Sequence, residues 1–91
     1  MSIPPDAEVQ RLRALISEVD REVVAAVNRR LELVAELRRH KDAHGLAFVD
    51  PQREAAMLEE RVRENRGPLS DDGVRALQRE LLALTKRELG V

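Results

Sequence analysis

No glycine or proline occurs between Pro5 and Gly45. Through that stretch the apolar residues fall at Val9, Leu12, Ile16, Val19, Val23 and Ala26, and again at Leu33 and Leu37. That three-then-four alternation is the seam of a helix packed on other helices. It predicts a helix over residues 6–44 with Asp6 as N-cap. At ~1.5 Å per residue such a helix is about 57 Å long, whereas a compact globule of this length has a radius of gyration of about 12 Å. Two short helices cannot cover a rod of that length. The seam is therefore expected to be buried against a second copy, in an all-α, intertwined homodimer. The alternative is a bend or a helix–turn–helix break near Asn28-Arg29, which would let one chain fold back on itself.

Two shorter helices follow. "VDPQRE" starts the second, with Asp50 as N-cap and Pro51 in the first helical position. "NRGP" ends it, with Gly67 as the left-handed cap and Pro68 as the stop. "LSDDG" starts the third, with Ser70 capping and two acids in the first turn. Its apolar stripe is Val74, Leu77, Leu81, Leu84 and Leu89. No strand pattern, internal repeat or low-complexity run is present, so the expectation is a three-helix protomer forming one domain over residues 1–91.

Charge and composition narrow the function. Sixteen Lys and Arg against seventeen Asp and Glu leave a formal charge of −1, so no global field draws the chain to nucleic acid or to a membrane. Phe48 is the one aromatic residue, which leaves an aliphatic core and no surface for stacking bases. The chain has no cysteine, so disulfides and thiolate metal sites are ruled out. The opening "MSIPPDAEVQ" is polar and interrupted by proline, unlike a signal peptide or membrane span; the expected location is cytoplasmic.

One cation does not fit the seam. Continued beyond Ala26, the alternation reaches Arg30, and a buried guanidinium without a partner is strongly unfavourable. Arg30 either snorkels or pairs with Glu32 or Glu36, or it faces a cavity that takes an anion. Lys41 lies about three turns further on the same face, with Val34 and Leu37 between. Two cations flanking an apolar wall suit a small anion with a hydrophobic body. Arg38 and Arg39 lie to either side and are expected to be solvated. Arg13 precedes Arg30 by about 25 Å along the axis, too far for one small ligand to reach both on the same helix. It either serves the site of a dimer partner or is simply solvated. His40 and His44 share a helix face, but no third ligand follows at metal-binding spacing, and solvated histidines are the expectation.

With these residues in place the sequence resembles the AroQ-type, all-helical chorismate mutases over nearly its whole length. The matching pieces are "LRALISEVDREVV" with Arg13 and Asp20, "NRRLELVAELRRHK" with Arg30 and Lys41, "GLAFVDPQRE" with Asp50, Arg53 and Glu54, and "GPLSDDGVRALQRELLALTKREL". The resemblance implies the Claisen rearrangement of chorismate to prephenate, toward phenylalanine and tyrosine, in a dimer whose two sites each borrow the partner's first helix. It implies no metal, cofactor or covalent nucleophile. It also implies roles. Arg30 and Arg13 of the partner subunit clamp the two carboxylates, and Lys41 meets the ether oxygen. Glu54 and the backbone near Asp50 hold the C4 hydroxyl, and Arg53 adds positive potential over the ring. From the residues alone, Asp50 is already accounted for as an N-cap, Glu54 by the helix dipole and Arg53 as a surface arginine.

The last helix departs from the family. Many members carry a hydroxyl there and, four residues on, a Gln or Glu that donates to the ether oxygen; here those places hold Thr85 and Leu89. Glu88 points about 100° away from Leu89 in an ideal helix. Losing one of two donors to the oxygen could cost a factor of ~100. The tail "KRELGV" is similar to that of actinobacterial members activated by docking on the first enzyme of the shikimate pathway, which raises such a partner as a candidate. Two other readings stay open: an isochorismate-pyruvate lyase on the same scaffold, and a non-catalytic helical dimerisation module that binds a metabolite.

Overall fold

The structure, a computed structural model, describes residues 4–91. Residues 1–3 of the expected domain, the start of "MSIPPDAEVQ", lie outside the described residues. Three helices follow one another: α1 (Pro5–Ala43), α2 (Pro51–Glu64) and α3 (Asp71–Leu89), with no strand among the described residues. None of these helices is long and apolar enough to cross a membrane. The chain divides into two compact units, one ending at Arg30 and the other spanning Leu31–Val91.

In the first unit the backbone is helical from Pro5 onward, and no break occurs at Asn28-Arg29. Asp6 is not the N-cap. The Pro4 carbonyl accepts the Ala7 and Glu8 N–H groups at 3.0 and 3.3 Å, so the helix starts one residue earlier than expected. The reason is Pro5: its fixed φ suits the first helical position and it has no N–H to leave unsatisfied. Asp6 and Glu8 then lie in the first turn, where the helix dipole favours them. Arg11 donates to Glu8 at 2.6 and 3.0 Å, and this hydrogen bond holds the Glu8 carboxyl below its usual range. The apolar seam is bare within the chain: Val9 is 43 % exposed, Leu12 45 %, Ile16 59 %, Val19 54 % and Val23 54 %. An exposed apolar stripe of this kind marks an interaction surface.

The second unit begins in the last turns of α1. Gly45 (φ 68°) closes that helix in a left-handed conformation, while Leu46 N–H reaches the Lys41 carbonyl at 2.8 Å; together they form a Schellman motif. Asp50 caps α2 as expected, its carboxylate accepting the Arg53 N–H at 3.1 Å. The end of α2 differs from expectation. Gly67 does have a positive φ of 76°, but the helix has already stopped at Glu64, and Asn65 is the C-cap in an extended conformation. Its side chain explains the early stop: Nδ2 donates to the Leu69 carbonyl at 2.7 Å and Oδ1 accepts the Gly67 N–H at 3.2 Å. The loop is thus tied by Asn65 rather than by a glycine cap. Ser70 caps α3, accepting the Gly73 N–H at 3.0 Å.

α2 and α3 pack together as a helical hairpin. Val74 is the buried apolar residue of this interface, flanked by half-buried Met57, Leu58, Val62, Leu81, Leu82 and Leu84. Two polar residues, Gln78 and Thr85, are buried beside them. Leu77 of the expected stripe is instead 53 % exposed, because the face turned to α2 follows Val74, Gln78, Leu81 and Thr85. Arg75 adds an ionic clasp, reaching Glu59 of α2 at 3.2 Å and Asp72 at 3.1 Å. Its guanidinium holds the Glu59 carboxyl below the usual range.

Candidate active site

Within the second unit, polar side chains gather where α1 ends, α2 begins and α3 ends. Capping chemistry sets this up, since each terminus leaves backbone groups without helical partners. Lys41, in the last turn of α1, extends its ammonium to the Phe48 carbonyl in the α1–α2 loop at 3.4 Å. That is a long hydrogen bond, and an ammonium has three donors, so most of its capacity remains for a ligand. Asp50, Arg53 and Glu54 share the first turn of α2. Asp50 is engaged as the cap, Arg53 is exposed and Glu54 is half-buried.

Glu54 has a partner on α3. The Lys86 ammonium lies 3.1 Å from Oε1 and 3.4 Å from Oε2. The antiparallel hairpin produces this pair by bringing the start of α2 beside the end of α3. Next to Lys86, Thr85 is buried, with Oγ1 donating to the Leu81 carbonyl at 2.7 Å. A hydroxyl has one proton, so Thr85 can donate to a ligand only by releasing that carbonyl. Leu89 ends α3 with a half-buried side chain and offers no donor of its own.

Arg38 is not solvated as expected. It is half-buried, donates through Nη1 to the Leu89 carbonyl, and its Cζ sits 5.5 Å from the Phe48 ring centroid. Gly90 (φ 71°) and the Val91 N–H, 2.8 Å from the Lys86 carbonyl, close α3 in a second Schellman motif. Arg38 supplies a donor to a carbonyl that the motif leaves over. Arg39 is exposed, as expected. His40 and His44 stack at 4.3 Å, and His44 Nδ1 lies 2.8 Å from the His40 carbonyl. Among the described residues no group of three or more His, Cys, Asp or Glu side chains is placed to hold a metal ion.

Arg13 and Arg30 belong to the first unit, Arg13 exposed and Arg30 half-buried. The structure thus groups Lys41, Asp50, Arg53, Glu54, Thr85 and Leu89 in one unit and the two arginines in the other. Sequence reasoning missed Lys86, Arg38 and Gln78. A signal for Lys86 existed: a first-turn acid on one helix of a hairpin and a last-turn lysine on the other are complementary. Arg38 gave none, since its partner, the Leu89 carbonyl, is remote in sequence, and nor did Gln78, whose burial depends on how the helices pack.

Comparison with known proteins bears on this arrangement. The family described as chorismate mutase type II matches residues 12–88. The T-protein of Enterobacter agglomerans is 38 % identical over 79 residues, covering 81 % of this chain and 21 % of that protein. The T-protein of Haemophilus influenzae is 38 % identical over 77 residues, covering 79 % and 20 %. This chain therefore spans about a fifth of the length of these curated relatives. Among solved structures, chorismate mutase (form I) from Thermus thermophilus superposes with a TM-score of 0.83 at 35 % identity, covering 86 % of this chain and 98 % of that one. Its form II gives 0.82 at the same identity, covering 86 % and 89 %. With the match running through all three helices, the chain belongs to the chorismate mutase type II family.

Proposed function

We propose that this chain is a chorismate mutase, one helical domain over residues 1–91 acting as a homodimer, that rearranges chorismate to prephenate on the way to phenylalanine and tyrosine. The observation that carries the reading is the likeness, in fold and in sequence, to nearly the whole of a Thermus protein described as a chorismate mutase. The bare apolar seam of the first unit supports the dimer. A second copy of the same stripe covers it and brings Arg13 of the partner subunit to the site.

The reaction is intramolecular. The ether C–O bond breaks while a C–C bond forms, and no proton, electron or group enters or leaves. The protein's task is to hold the chair-like diaxial conformer and to meet the charge that develops on the ether oxygen. Arg30 and the partner's Arg13 clamp the two carboxylates. Lys41, whose ammonium has donors to spare, meets the oxygen. Glu54 and the backbone near Asp50 take the C4 hydroxyl, and Arg53 sets positive potential over the ring. Thr85 and Leu89 close the wall, Thr85 as a donor once it turns from the Leu81 carbonyl. With Leu89 unable to donate, Lys41 acts on the ether oxygen without the usual second donor.

The test is the rate of chorismate loss and prephenate appearance with purified protein beside Lys41→Ala. Losing a fixed cation at a developing oxyanion costs ~3–4 kcal/mol, or about 10²–10³ in kcat. Turnover no faster than the uncatalysed reaction, with chorismate still bound, would point to a metabolite-binding module. Pyruvate release from isochorismate without prephenate formation would point to the lyase.

A further inference from the structure

We propose that Lys86 is a positioning residue for this reaction: it holds the Glu54 carboxylate in place across the α2–α3 interface and offsets its charge. The inference rests on the reading above, in which Glu54 meets the substrate hydroxyl. Three observations support it. The Lys86 ammonium lies within 3.4 Å of both Glu54 oxygens, so one cation restrains the whole carboxylate rather than one corner of it. A carboxylate has about four acceptor sites, which leaves room for a hydroxyl donor beside the ammonium. The backbone of Lys86 is itself fixed, because its carbonyl takes the Val91 N–H at 2.8 Å and its neighbour Thr85 is buried.

Electrostatics give the pair a purpose beyond joining two helices. An unneutralised carboxylate beside a dianionic substrate repels it, and partial burial strengthens that repulsion. Lys86 cancels the charge while leaving the carboxylate able to accept. The other clasp of the hairpin, Arg75 to Glu59, serves as the comparison. Its carboxylate is 51 % exposed against 27 % for Glu54, and it lies on residues with no part in the proposed site.

A double-mutant cycle tests this. Lys86→Met is expected to lower kcat/KM about tenfold, within the range for residues coupled through one hydrogen-bonded pair, with KM raised and kcat lowered. Lys86→Arg, which keeps the charge, is expected to restore most of the loss. In a Glu54→Gln background, where no charge needs offsetting, Lys86→Met should change kcat/KM less than twofold. Arg75→Met, with thermal unfolding measured for every variant, reports what loss of a helix clasp does by itself. Equal losses from Lys86→Met in both backgrounds, or a loss no larger than that from Arg75→Met, would overturn the proposal and leave Lys86 a structural clasp. A Glu54→Gln enzyme with wild-type kcat/KM would instead overturn the assignment of Glu54 to the site.

Discussion

Substitution of Ile16 by alanine is expected to weaken self-association about a hundredfold. Ile16 lies on the three-four seam and is 59 % exposed, so most of its side chain remains to be covered. Ile→Ala removes three carbons, worth ~2.4 kcal/mol on full burial at ~0.8 kcal/mol each. Covering only the exposed 59 % recovers about 1.4 kcal/mol of that. A two-fold interface contains the residue twice, which makes the loss about 3 kcal/mol, and each 1.4 kcal/mol is about tenfold in Kd. A cavity that fails to collapse would enlarge the loss. Sedimentation equilibrium across a dilution series reads the effect directly, with Glu18→Ala, off the seam on the same helix, as the control. Wild-type protein that remains monomeric throughout would refute the reasoning. So would an Ile16→Ala protein with the wild-type dissociation constant.

Asp50→Ala removes the cap of α2 and should lower stability by about 1 kcal/mol, read as a shift in the urea midpoint; an unmoved midpoint would mean that Pro51 alone suffices to start the helix. Because Arg75 holds Glu59 below its usual range, their clasp adds stability above the ordinary glutamate pKa of about 4.3 and loses it as pH falls through the folded value. Glu59→Gln should accordingly lower the thermal midpoint at pH 7 and match wild type near pH 2, and a difference of equal size at both pH values would contradict the assignment. Leu89→Gln restores a donor at the end of α3 and should raise kcat by up to ~100-fold; an unchanged rate would show that the end of α3, held through Arg38, keeps that side chain away from the ether oxygen.

Much of this was legible in the residues themselves. The long first helix, the caps at Asp50 and Ser70, and the misfit of Arg30 on an apolar seam all follow from local rules: helical periodicity, satisfaction of terminal backbone groups, and the cost of burying a charge. Where two local signals competed, sequence reasoning chose wrongly. Pro5 outranked Asp6 because the proline ring fixes the first helical φ, and Asn65 ended α2 before Gly67 because its amide could bond both ways into the loop. The remaining features needed the tertiary structure. Lys86 meets Glu54, Arg38 meets the Leu89 carbonyl, and Gln78 rather than Leu77 is buried, each through packing of segments far apart in the chain. Periodicity fixes which residues share a face, but a pair across two helices also depends on their relative rotation and offset, which are set only when side chains interlock.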